Sequence, residues 1–403
     1  MHFLYNLFKF IFYIIFLINS ISCYVPSERA YHNSVIIKDR LLIIGGRKNS
    51  TQSPELFYLD LSNSFDNTNL PWNLIREGDL PINTYSSTAI VSLDNSTIFL
   101  IGGYIKNKST LDYDFSHQVY TYDYLNSKWN TPSITGDSIP TRQQMTGVID
   151  NKGTIYIFGG FNITNFTTLA GKVYNEMNTL GTFSMSWKTL TVTSNLPPLS
   201  SDYSANILPN GIIVYIGGQA NDTLVKMKNI KLFNTKKDEW LYMDAIGDDV
   251  DPRWLFASVL TPDGRIIIFG GCTLNLSSVN PKLAVLDTNK SPYEWSIPSS
   301  FQVNSPSIYG HTANLYNNHM IITFGYDMDV QMYNFRVYLY DITNNTWVTR
   351  FDPSLPSTQK SSKSLQIGLG IGISLVVLIC IAIFIFCKKM KMKSQILEIA
   401  DSN

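Results

Sequence analysis

The chain is poor in cysteine, and its four cysteines sit where no disulfide framework can form. Cys23 ends an N-terminal apolar leader, Cys380 and Cys387 belong to a C-terminal apolar run, and Cys272 stands alone between them. A single thiol excludes a stapled scaffold, so the central region must be stabilised by core packing, with Cys272 as a buried thiol. Charge is scarce too: Lys+Arg and Asp+Glu number 31 each and together make 15% of the 403 residues. So balanced a chain gives no reason to expect nucleic acid as a partner.

Catalytic and metal motifs are also missing. No G-x-S-x-G nucleophile elbow occurs. The acidic run "DAIGDDVD", Asp244 to Asp251, lacks EF-hand spacing and reads as a solvated loop. Neither a metal nor a cofactor is expected.

Apolar runs are present at both ends. Residues 1–23 carry Lys9, an apolar stretch from Phe10 to Ile18 and small residues near Ser20 and Ser22, the pattern of a signal peptide. Residues 367–387, "IGLGIGISLVVLICIAIFIFC", are 21 residues without a charge, long enough to cross a hydrocarbon core of roughly 30 Å as a helix. Lys388, Lys389, Lys391 and Lys393 follow it, against Lys360 and Lys363 before it, which places the tail 388–403 in the cytosol. The expectation is a type I single-pass protein of the plasma membrane or a secretory-pathway membrane, with residues 355–366 as a polar stalk. Cys387, beside the lysines, is a palmitoylation candidate. Gly368 and Gly372 form G-x-x-x-G, which suits a homodimer through the helix.

Between the ends, one pattern recurs. "RLLIIGGR", "TIFLIGGY", "TIYIFGGF", "IIVYIGGQ", "RIIIFGGC" and "MIITFGYD" place Gly45-Gly46, Gly102-Gly103, Gly159-Gly160, Gly217-Gly218, Gly270-Gly271 and Gly325 at steps of 57, 57, 58, 53 and 55 residues. A tryptophan keeps step with them: Trp72, Trp129, Trp187, Trp240, Trp295 and Trp347. A fixed period of this size means a repeat architecture. In each repeat a strand-like run ("HNSVII", "STAIVSL", "MTGVID", "SANILP", "ASVLTP", "HTANLY") and a tight polar turn precede the glycine strand, a hairpin signal. A third strand and a short fourth strand with the tryptophan follow, giving the four antiparallel strands of a propeller blade.

The glycine pair, the later Tyr or Leu before Asp ("YLD", "TYD", "VLD", "LYD") and the spaced tryptophan resemble kelch repeats of the galactose oxidase/kelch superfamily, across residues 24–354. The resemblance implies an all-β, six-bladed kelch-type β-propeller beside the one transmembrane α-helix, similar in plan to the attractin and muskelin propellers. The glycines would permit positive φ and close approach where blades crowd, and the tryptophans would pack blade on blade. Two departures stand out. The last repeat has Gly325-Tyr326 for the pair, and the third has "TLGTF" without the Asp. A closed ring is expected, with the way the ends complete it left open.

The resemblance also implies that the loops after the glycines and the segments leading into each first strand share one ligand-binding face. On this chain that face would hold Arg47, Tyr104, Lys106, Phe161, Gln219 and Asp327, with Arg29, Arg142 and Arg253 in the lead-in segments. The three arginines form a basic ring for an acidic ligand or, alternatively, cap carbonyls between blades. Nine N-x-S/T sequons occur, at Asn49, Asn95, Asn107, Asn162, Asn165, Asn221, Asn275, Asn289 and Asn344, six of them in loops after glycines. The related copper radical oxidases need two His and two Tyr, one cross-linked to Cys, on seven blades. Here His32, His117, His311 and His319 are joined only by Cys272. The expectation is therefore non-catalytic binding of a protein or carbohydrate, with a lumenal assembly scaffold as the alternative.

Overall fold

The strand before each glycine pair is buried on both sides. In the computed structural model, which describes residues 24–353 apart from 50, 77–79, 169 and 299–304, Arg40–Ile44, Thr97–Ile101, Thr154–Phe158, Ile212–Ile216 and Arg265–Phe269 are buried at their last four residues, and His319–Thr323 throughout. Their apolar residues run on continuously where a half-buried strand would alternate, because a neighbouring blade covers each face.

Every repeat is one antiparallel sheet whose four main strands pair in chain order. In blade 1 these are Asn33–Ile37, Arg40–Ile44, Leu56–Asp60 and Asn73–Leu74. Blades 2 to 6 begin at Thr88–Val91, Gly147–Ile149, Ser204–Ile207, Ala257–Leu260 and Thr312–Tyr316. Blades 3 and 5 gain a fifth, parallel edge strand, Thr135–Gly136 beside Trp187 and Ile246–Gly247 beside Trp295. The aspartate after each glycine fixes it: Asp137 accepts the Thr189 N–H and Asp248 the Ile297 N–H. Asp251 accepts the Asn280 N–H and Asp249 pairs with Lys228, so the acidic run is a set of loop ties.

The first strands line the axis, each against its neighbours, and that of blade 6 meets that of blade 1. The ring thus closes without sharing a strand. Side chains bridge the seam, with Ser34 Oγ 2.6 Å from Thr312 Oγ1, His32 Nε2 2.9 Å from Thr323 Oγ1, and Tyr316 donating to Asp39. Arg350–Phe351 pair with Phe65–Asp66, and the Phe65 and Phe351 rings stack at 4.8 Å.

The glycines explain themselves in the contacts. The first of each pair has φ between 57° and 66°, and a Cβ on Gly102 would stand 2.2 Å from the Arg142 carbonyl oxygen of blade 3. The second donates its N–H across to the next blade: Gly46 to Thr84, Gly103 to Arg142, Gly160 to Ser200, Gly218 to Arg253, Gly271 to Ile308 and Gly325 to Arg29, all at 2.8–2.9 Å. Gly325 is therefore the second glycine of its repeat, and the first position is filled by Phe324, at φ 54°. That ring stacks on Trp72 at 5.6 Å and meets Phe57 and His32 edge-on, which places it in the core between blades 6 and 1.

Six such cores exist, one per blade interface. The repeat tryptophan of one blade reaches back to the blade before it: Trp240 meets Phe158 at 4.6 Å and Trp347 meets Phe269 at 5.2 Å. The segments expected as signal peptide (1–23), stalk (355–366), membrane helix (367–387, with Gly368, Gly372 and Cys387) and tail (388–403) lie outside the described residues. Among the described residues no helix is long and apolar enough to cross a membrane.

These contacts make opposite demands at two positions. Gly102→Ala forces a left-handed alanine against a backbone oxygen and should destabilise the chain by about 2 kcal/mol or more. Phe324→Gly relieves roughly 1–2 kcal/mol of left-handed strain, but emptying the seam core costs about 3–5 kcal/mol. It should therefore also destabilise, even though it restores the repeat. Urea unfolding of both variants checks the two signs.

Candidate binding face

In all six blades the lead-in segment pairs with the segment after the glycines. Ile82–Tyr85 ladder with Tyr104–Asn107, Ser200–Ser201 with Gln219–Ala220, and Ile308–Tyr309 with Tyr326–Asp327. Ala30 bridges Arg47, Gln143 bridges Phe161, and Trp254 bridges Cys272. The left-handed glycines bend the chain away from the blade and into this position, so the two sets of loops build one face.

The arginines do not form a basic ring on it. Arg29, Arg142 and Arg253 are at most 5% exposed, and each donates Nη1–H to the first glycine's carbonyl of its own blade: Gly45 at 2.9 Å, Gly159 at 2.7 Å and Gly270 at 3.1 Å. Arg29 also pairs with Glu55, and Arg142 with Glu176 at 3.1 Å. Burial works against the Glu55 carboxylate, yet Arg29 holds it below its ordinary range. Arg253 has no carboxylate in ion-pair contact among the described residues, and burial pushes it down to about 10, with Asp251 pulling the other way. The expectation of a basic ring is corrected in favour of carbonyl capping, because the three guanidiniums are buried away from the face and each spends Nη1 on a glycine carbonyl, although Arg142 Nε and Arg253 Nη2 find no partner among the described residues. Asp327 is likewise buried, its carboxylate accepting the Asp329 N–H, and Gln219 is half-buried in its ladder.

Four of the expected face residues do converge, on an aromatic cluster from blades 1 to 3. Tyr104 stacks on Tyr85 at 4.6 Å. The Arg47 guanidinium lies over Tyr31 and Tyr85 at 5.0 and 4.8 Å. The Lys106 ammonium lies 4.7 Å over Tyr113, whose ring stacks on Phe166 at 3.9 Å. Phe161 packs against Ile163 and the tyrosines. Sequence reasoning missed Tyr31, Tyr85, Tyr113, Phe115 and Phe166. The signal present was the 13% aromatic content, which tryptophan counting left largely unassigned. The loop of Tyr113 also exposes Leu111, and across the face the loops after the glycines of blades 5 and 6 expose Leu274, Leu276, Val330 and Met332.

The six sequons in those loops differ in access. Asn49, Asn165, Asn221 and Asn275 are exposed, whereas Asn107 and Asn162 are half-buried. Asn95, Asn289 and Asn344 are exposed in hairpin turns at the opposite face.

At the centre of the face, one residue per blade turns left-handed: Tyr31, Ser86, Gln144, Asp202, Leu255 and Gly310, with φ between 53° and 63°. Five of the six steps around this circle are hydrogen bonds from one residue's N–H to its neighbour's carbonyl, at 2.7–3.1 Å. The circle rims an axial pocket of about 150 Å³. His32 and His311 also line it, and burial drives both imidazoles far below their usual range, His311 to about 3. His117 lies beside Tyr120 and His319 beside Phe351 instead. Among the described residues no three His, Cys, Asp or Glu side chains are grouped to hold a metal. Cys272 is buried, with its thiol pushed up to about 12 by burial.

Fold and face together define a kelch-type six-bladed propeller. The KLHDC2/KLHL20/DRC7 kelch-repeats domain matches residues 31–271 and 210–365, and the chain belongs to that family. Among curated proteins it is similar to kelch domain-containing protein 3 of Bos taurus, 26% identical over 269 residues, 62% of this chain and 65% of that protein. It is also similar to acyl-CoA-binding domain-containing protein 5 of Arabidopsis thaliana, 23% identical over 291 residues, 70% of this chain and 41% of that one. A third relative, putative protein tag-53 of Caenorhabditis elegans, is 24% identical over 295 residues, 68% of this chain and 21% of that one. The chain thus spans less than two thirds of the length of each of these.

Asp202 gives the face a measurable pH dependence. Burial raises its carboxyl to about 7, with the Ser201 hydroxyl pulling the other way, against roughly 3.9 in an unfolded chain. Between those values the folded chain holds a proton that the unfolded chain has released, so stability falls as pH rises through that window. The neighbouring Tyr104, Tyr203 and Cys272 are themselves pushed upward by burial and titrate above it. His32 and His311 are pushed down by burial, and His311 titrates below it. Asp202→Asn, a residue that tolerates left-handed φ, should flatten the decline. Urea midpoints at the acid and alkaline ends of the window, for both proteins, test this.

Proposed function

We propose that the chain is a non-catalytic binding propeller whose protein ligand docks on the glycine-side face, over the aromatic cluster of blades 1 to 3. The observation that carries this reading is Arg47. It is a half-buried cation stacked between two tyrosines, its one hydrogen bond is to the Tyr85 hydroxyl at 3.4 Å, and no carboxylate pairs with it among the described residues. Arginine and tyrosine in one cluster with exposed Phe166, and Leu111 in the same loop as Tyr113, is the composition of a protein-binding hot spot. A carbohydrate ligand is the second reading, favoured by the flat ring faces of Tyr113 and Phe166. Similarity to other kelch proteins supports a binding role in general and leaves the ligand to this surface.

The setting we propose rests on the end segments: a cleaved leader, a single membrane span from 367 to 387, and the propeller outside the cell or in the lumen. Acylation at Cys387 and pairing through Gly368 and Gly372 belong to the same proposal, as does glycan on the exposed sequons. A lumenal assembly scaffold is the alternative within this setting.

Two measurements test these statements. Binding of the full-length protein, in detergent, to intact cells and to a glycan array should fall at least tenfold with Arg47→Ala or Tyr113→Ala. It should survive Phe183→Ser, a change at an exposed turn of the opposite face. Equal loss in all three variants, or none, would sink the assignment of the face. Enzymatic deglycosylation of the expressed protein should shift its gel mobility, and an unchanged band would remove the lumenal setting.

A further inference from the structure

The axial pocket shares Tyr31 with the aromatic cluster but has a chemistry of its own. Asp202 is the one charged residue among its described lining residues, because both histidines are held neutral by burial. Its carboxylate takes a hydrogen bond from Ser201 Oγ at 2.8 Å and has no lysine or arginine paired to it among the described residues. One more acceptor lacks a partner. His311 is 5% exposed, its Nε2 lies 3.1 Å from the Phe269 carbonyl and so carries the proton, and the Nδ1 lone pair is left without a hydrogen bond.

Such a pocket wants a donor with positive charge. A half-buried carboxylate with no cation beside it favours a positive partner, and an ammonium brings three donors and no acceptor. Tyr31, Tyr203 and Phe256 also line the pocket, and aromatic residues suit a cation with an apolar stem. A metal ion is disfavoured, because no group of three ligating side chains occurs among the described residues. The volume of about 150 Å³ corresponds to roughly five waters, room for a short alkylamine. We propose that the axial pocket is a binding site for a primary ammonium on an unbranched alkyl stem, held by Asp202. The same chemistry is carried by a free small amine and by a lysine side chain of a docked protein. The site stands whether or not the outer face binds a protein.

Calorimetric titration of the purified full-length chain at mildly alkaline pH, with n-butylammonium chloride and with n-butanol, tests it. Butylammonium should bind at least tenfold more tightly than butanol, and Asp202→Asn should abolish that preference. Equal binding, no binding, or a preference that persists in the variant would overturn the proposal. A lysine-tipped peptide and its acetylated form then separate the sources. Acetyl-sensitive binding that needs Asp202 identifies a protein side chain, and its absence, with butylammonium still bound, identifies a free amine. Tyr113→Ala, at a ring of the outer face that does not line the axial pocket, should leave butylammonium binding unchanged, so failure of the outer face and failure of the axial site are told apart.

Discussion

The peptide bond between the paired glycines joins the blades into a ring. Its N–H reaches across to a carbonyl of the next blade in all six repeats. In blades 1, 3 and 5 its carbonyl is held from within the blade by a buried arginine. Those arginines also lend their own backbone carbonyls to the preceding blade: Arg29 to Gly325, Arg142 to Gly103 and Arg253 to Gly218. A side chain at the first glycine would overlap the acceptor backbone, so the link exists only where Cβ is absent or, at Phe324, where a seam core compensates.

This link accounts for how much of the molecule could be read in advance. Two markers repeated six times settle the number of blades and the strand order, since the same short-range geometry is rebuilt each time. The parallel edge strands escaped notice because two residues carry no periodicity, although "TGD" and "IGD" mark both. The equivalence of Gly325 was misread for a physical reason: Phe324 adopts the glycine conformation without being glycine. Arg29, Arg142 and Arg253 show the limit of residue type as a guide to function. An arginine in a loop is available to a ligand or to a backbone carbonyl, and only burial decides between them.

With those arginines assigned to the scaffold, the face resolves into two zones of different chemistry. The outer one is aromatic, with Arg47 and Lys106 lying on rings. The inner one turns acidic as pH rises above neutral and Asp202 ionises, and it is built on a circle of left-handed residues whose backbone groups are largely occupied by one another. The circle leaves side chains as the variable part of the axis, and this chain has tyrosine, serine, glutamine, aspartate, leucine and glycine there.

Blades made of contiguous chain, each tied to the next in the same way, have one more consequence. The seam between blades 6 and 1 differs from the other five interfaces chiefly in lacking a covalent connection, and Phe65 and Phe351 bring the chain near both ends of the propeller together there. The order of blades around the circle is thus independent of where the polypeptide starts. A circularly permuted chain, joined across the seam and cut just after the fourth strand of any other blade, ahead of the next lead-in segment, keeps every strand pairing and every glycine link. For the natural chain, the seam is the interface whose opening stretches no loop, and therefore the place where the ring would breathe first.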